Sequence, residues 1–123
     1  MESSGTNIYV NPPDLKQIAV INRKTHAIIR WPMTLEHNFP IALDEADHRL
    51  FVATHEPARL TVFDTDTGKT IAILPCAQTL NPRHSARTAG YFGKGGKGFD
   101  RFFLAVPAAA DHGAQIWIYT VQD

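Results

Sequence analysis

Leu50-Phe51-Val52-Ala53-Thr54-His55-Glu56-Pro57-Ala58-Arg59-Leu60-Thr61-Val62-Phe63-Asp64-Thr65-Asp66-Thr67-Gly68-Lys69-Thr70-Ile71-Ala72-Ile73-Leu74 is the stretch that decides the fold. It holds three short runs rich in β-branched and aromatic residues, separated by Pro57 and by the polar block Asp64–Gly68. Such runs bounded by turn formers read as strands. They are apolar at nearly every position, as strands are when neighbouring sheets cover both of their faces. The block after Phe63 has a turn mechanism: Asp64 can accept a hydrogen bond from a backbone N–H two residues on, and Gly68 supplies positive φ without steric cost. With Pro40-Ile41-Ala42-Leu43 as a further run, four strands are expected, near 40–43, 50–54, 60–64 and 70–74.

Working outward, the same pattern occurs forty-two residues earlier. Ile8-Tyr9-Val10 matches Leu50-Phe51-Val52, Ile18-Ala19-Val20-Ile21 matches Leu60-Thr61-Val62-Phe63, and Asn22 to His26 match Asp64 to Gly68. Asn22 can serve as Asp64 does, and His26 stands at the glycine position, where His tolerates the left-handed region better than most residues. A looser third copy follows, with Arg101-Phe102-Phe103 for Arg49-Leu50-Phe51 and Ile116-Trp117-Ile118-Tyr119 for Leu60-Thr61-Val62-Phe63. A period near forty is that of one four-stranded propeller blade.

Ile8-Tyr9-Val10-Asn11, Ile18-Ala19-Val20-Ile21-Asn22 and Val62-Phe63-Asp64-Thr65-Asp66-Thr67-Gly68-Lys69 resemble the YVTN-type β-propeller repeat, with Phe39-Pro40-Ile41-Ala42-Leu43-Asp44 similar to its innermost strand. The resemblance implies an all-β chain of four-stranded antiparallel blades. At 123 residues the chain holds about two and a half of them, fewer than the four to eight that close a ring. The expected organisation is a flexible N-terminus over 1–6 and one all-β domain over 7–123. Within that domain we expect a partial blade at 7–35, a full blade at 36–77, an irregular Gly/Lys-rich connector at 78–98 and a partial blade at 99–121. Uncovered sheet faces and strand edges point to a homo-oligomer.

Composition limits function. Twelve Lys+Arg balance twelve Asp+Glu, so no overall field favours nucleic acid or an anionic membrane. No apolar run is long enough for a membrane helix, and the start of the chain lacks the pattern of a signal peptide, so a cytoplasmic location is expected. The single cysteine, Cys76, excludes an internal disulfide and a cysteine-based zinc cluster.

Several motifs invite a chemical reading. Gly93-Lys94-Gly95-Gly96-Lys97-Gly98 matches a dinucleotide fingerprint in letters, but Phe99-Asp100-Arg101-Phe102-Phe103-Leu104 after it reads as a strand rather than the required helix. A flexible connector explains it. Lys94, Lys97 and Arg101, with Tyr91, Phe92 and Phe99 interleaved, combine charge and stacking surface as anion or single-strand nucleic-acid sites do. The neutral whole argues against that partner. His26, His37, His48, His55, His84 and His112 show no H-x-x-x-H spacing, so no metal or other cofactor is expected. Asp64-x-Asp66 opens like a calcium loop, but Gly68 stands where a ligand is needed.

His37 and Asn38 precede the innermost strand of the full copy, and His84 with Arg87 hold a comparable place before the third. The resemblance implies that such positions approach a central channel, where a small-molecule ligand could bind. The expectation is a non-enzymatic binding or interaction module, a shortened form of a longer propeller protein. The alternative is a lactonase- or esterase-type hydrolase whose channel is completed by oligomerisation.

Overall fold

The computed structural model describes residues 1–12, 15–34, 36–76, 88–92, 101–106 and 113–120. These residues form ten strands and no helix. The first sheet is β1 (Asn7–Val10), β2 (Gln17–Asn22) and β3 (Ile28–Pro32), in that order. The second is β4 (Glu36–Asp44), β5 (Arg49–Glu56), β6 (Ala58–Asp64) and β7 (Thr70–Pro75), also in chain order. The third holds β8 (Thr88–Phe92), β9 (Arg101–Val106) and β10 (Gln115–Thr120), with β9 in the middle. Every pairing is antiparallel. The protein is all-β.

The forty-two-residue repeat is physical. Asn7 pairs with Asn22 as Arg49 pairs with Asp64, and Tyr9 pairs with Val20 as Phe51 pairs with Val62. The turns coincide bond for bond. Asn22 Oδ1 accepts from Lys24 N–H at 2.9 Å and Thr25 N–H at 3.0 Å, while Asp64 Oδ1 accepts from Asp66 N–H at 2.8 Å and Thr67 N–H at 3.0 Å. The N–H groups of His26 and Gly68 donate to the Asn22 and Asp64 carbonyls, each at 2.8 Å. His26 and Gly68 have φ of 61° and 72°, so both occupy the left-handed region assigned to them from sequence.

Two irregularities break the correspondence. One is a register shift between Val62 and Phe63, which displaces β7 by one residue relative to β3. The other lies in β4 between Asn38 and Ile41, across Phe39-Pro40, where proline has no N–H to give a neighbouring strand. β4 is correspondingly longer than the expected strand near 40–43.

Alternation along β5 and β6 builds two cores, one on each side of the second sheet. Leu50, Val52 and Phe63 meet Tyr9, Ile18, Val20, Trp31 and Met33 of the first sheet. Phe51, Ala53, Leu60 and Val62 meet Leu104, with Trp117 and Tyr119 packed against them. This double coverage explains why β5 and β6 read as continuous apolar runs. Trp31 anchors the first core, its ring stacked 5.9 Å from Phe63 and tilted 5.6 Å from Tyr9.

Two segments are held by partners distant in sequence. First, residues 1–6 carry hydrogen bonds to the body. The Glu45 carboxylate accepts from Ser3 N–H at 2.7 Å, Ser4 N–H at 2.9 Å, Gly5 N–H at 3.1 Å and both serine hydroxyls. Glu2 accepts from Tyr9 O–H at 2.6 Å and Asn7 N–H at 2.9 Å. The backbone donors of a serine-glycine stretch suit a carboxylate supplied by a distant turn, a partnership with no local sequence signal. Second, β8 lies inside the segment read as connector over 78–98. Thr88-Ala89-Gly90-Tyr91-Phe92 is short and contains glycine, so its strand character comes from pairing with β9.

Candidate functional site

A cleft of about 160 Å³ opens between β5, β6 and β7 of the second sheet and the end of β10. Phe51, Leu60, Val62, Ala72 and Leu74 form its apolar walls, and Arg49, Tyr119 and Thr120 stand around them. It lies where β7 of the four-stranded sheet and the end of β10 meet. Tyr119 closes one end by donating its hydroxyl to the Pro75 carbonyl at 3.0 Å. Burial, with the neighbouring Cys76 contributing, raises the Tyr119 phenol well above its ordinary value, so it stays neutral. The volume falls below the roughly 300–1,000 Å³ usual for small-molecule sites and matches a side chain better than a substrate.

Cys76 borders this region, and burial pushes its thiol up to about 11 despite the opposing effect of Arg59. A thiol in that state is a poor nucleophile at neutral pH. Among the described residues no three His, Cys, Asp or Glu side chains converge on a common point. Asp64 and Asp66, which open like a calcium loop, are engaged elsewhere: Asp64 caps its own turn, and Asp66 Oδ1 lies 3.0 Å from His48 Nδ1. The backbone N–H groups of Thr67 and Asp66 hold the Asp64 carboxyl below its usual value.

The residues singled out from sequence divide into three groups. His37 and Asn38 lie on β4, where Asn38 pairs with Thr54 beside the register shift. β4 runs near β8, so the first strands of the second and third sheets are neighbours. His84, Arg87, Lys94 and Lys97 lie outside the described residues. Arg101 opens β9, exposed and paired with Phe92 and Thr120.

The larger feature is a pair of apolar end faces, expected from the incomplete set of blades, whose residues the motifs do not name. Val10 and Ile28 are exposed on the first sheet, and Ile116 and Ile118 on the third. Their signal was present in the repeat: Ile116 and Ile118 align with Leu60 and Val62, which the second sheet buries. No helix among the described residues is long and apolar enough to cross a membrane. A scan against protein-family models finds no match to this chain, and a search of curated proteins finds none either.

Proposed function

We propose that this chain is a non-enzymatic interaction module built from YVTN-like propeller blades, and that it works through the apolar faces at the two ends of its sheet stack. The observation that carries this reading is the contrast between equivalent positions. Leu60 and Val62 are buried between sheets, whereas Ile116 and Ile118, at matching places in the third copy, are exposed. Contiguous exposed apolar side chains on a sheet face mark interaction surfaces. The three-, four- and three-stranded sheets support a partial, a full and a partial blade, stacked as in a longer propeller.

The test is binding of an apolar fluorescent dye, anilinonaphthalene sulfonate, at submicromolar chain concentration. Dye should bind the native chain and be largely lost from an Ile116→Asp/Ile118→Asp variant of unchanged circular dichroism. Failure to bind dye at a dilution where light scattering shows the native chain to be monomeric overturns the reading. So does metal-dependent turnover of lactones or aryl esters that disappears in His37→Ala and Asn38→Ala, which would establish the hydrolase instead.

A further inference from the structure

We infer that the partner of these end faces is a second copy of this chain, docked head to tail so that the third sheet of one copy covers the first sheet of the other. The inference rests on the interaction-module reading and names its partner.

The argument comes from how the chain packs on itself. Each sheet has two sides, defined in the second sheet by Leu50, Val52 and Phe63 toward the first sheet and by Phe51, Leu60 and Val62 toward the third. These are the near and far sides. The first sheet packs through Tyr9, Ile18 and Val20, which the repeat aligns with Phe51, Leu60 and Val62, so it offers its far side. The third sheet packs through Leu104, Trp117 and Tyr119, aligned with Val52, Thr61 and Phe63, so it offers its near side. Strand register confirms this alignment: Phe103 pairs with Ile118 as Phe51 pairs with Val62, and Ala105 pairs with Ile116 as Ala53 pairs with Leu60. Both junctions inside the chain therefore join a far side to a near side.

One side of each kind is left over. The near side of the first sheet presents Val10, 39% exposed, where its counterpart Val52 is 0% exposed. The far side of the third sheet presents Ile116 and Ile118, 68% and 55% exposed, against 0% and 7% for Leu60 and Val62. Continuing the internal rule places the far side of one chain on the near side of another. A symmetric contact between like sides is one that neither internal junction makes. The contact is thus heterologous, and such contacts either close into a ring or grow as a filament. Two copies contribute six sheets, within the four to eight that close a propeller ring, whereas three would contribute nine. A closed dimer with two identical junctions is the expected assembly.

Light scattering after size exclusion of the full chain at micromolar concentration should give twice 13.7 kDa. Ile116→Asp/Ile118→Asp and Val10→Asp/Ile28→Asp should each give the monomer mass alone. Mixed, they should recover a dimer, because one native junction survives between unlike variants. Should either variant misfold, chains carrying Val10→Cys and Ile118→Cys, mixed and treated with a bismaleimide, should cross-link to each other in preference to themselves. A monomeric native chain, a variant that stays dimeric alone, or cross-linking only between like chains overturns the inference. Dye binding that persists unchanged up to micromolar concentration in a monomeric native chain would leave the interaction module standing with a different partner.

Discussion

The indole of Trp31 lies against the α-carbon of Gly68, so close that a β-carbon built there would come within 2.6 Å of the ring's Cδ1. Trp31 belongs to the first sheet and Gly68 to a turn of the second, so the contact joins two copies of the repeat. At the equivalent turn of the first copy, His26 adopts the same backbone with its side chain exposed. Glycine is required at one turn and dispensable at the other for this reason. Both the ring and the φ of 72° oppose a side chain at 68. Gly68→Val should cost about 2–4 kcal/mol. His26→Gly should shift stability by less than about 1 kcal/mol, toward stabilisation, as left-handed strain is relieved. Paired urea titrations measure both, and equal effects would undo this account.

Thr61 offers a change in the opposite direction. It is buried on the side of β6 that meets the first sheet, and its Oγ1 makes no hydrogen bond among the described residues. Replacing an unpaired buried hydroxyl by a methyl removes a desolvation cost, so Thr61→Val should stabilise by about 1 kcal/mol. The melting temperature should rise by about 4 °C. A fall would mean that the hydroxyl has a partner.

Alkaline titration separates the tyrosines. Burial, then the hydrogen bond to Glu2, pushes the Tyr9 phenol up to about 12. A group whose folded value is raised stabilises the protein below its unfolded value, and that contribution disappears as pH rises through the folded value. Stability should thus decline from about pH 10 to about pH 12. Absorbance at the phenolate band should show Tyr9 and Tyr119 ionising later than free tyrosine, and Tyr9→Phe should remove one late step.

The Glu45 anchor responds to acid. Hydrogen bonds from Ser3 and Ser4, side chain and backbone, hold its carboxyl well below the usual 4.5. Burial alone would raise the Glu2 carboxyl, but its bonds from Tyr9 and Asn7 outweigh that and lower it. For depressed carboxyls the stabilising contribution is present above the unfolded value and lost as pH falls through the folded one. Protection of the Ser3, Ser4 and Gly5 amides from exchange, relative to the intrinsic rate at each pH, should therefore fall as pH drops below about 4.5, and be lost at neutral pH in Glu45→Ala, with little change in global melting.

Cys76 should react slowly with a disulfide reagent at pH 7 and quickly once the protein is unfolded, because burial keeps the thiol protonated. Fast labelling of the native chain would show that this end of the cleft opens.

Much of the architecture was legible because it was written twice. The turns at Asn22–His26 and Asp64–Gly68 announce themselves through side chains that bond to their own backbone. Periodicity likewise exposes β5 and β6, since doubly covered strands have few polar positions. The register shift after Val62 leaves no mark, for it depends on how β7 settles beside β6. β8 and the Glu45 anchor also escape, because each is made by partners distant in sequence. For the candidate site, residue types alone directed attention to His37, Asn38 and the basic segment. Uncovered end faces follow from the blade count, but the residues that form them emerge only when a buried copy and an exposed copy are compared position by position.

The second sheet, gripped on both sides, has a consequence for where the chain can be divided. Removing everything after residue 76 would bare Phe51, Leu60 and Val62 to water, and removing everything before residue 36 would bare Leu50, Val52 and Phe63. Neither remainder is a self-sufficient fragment, because the cut face is as apolar as the core it came from. The molecule is built as an arch whose central stone needs both shoulders, so a cut on either side turns half of its core into surface.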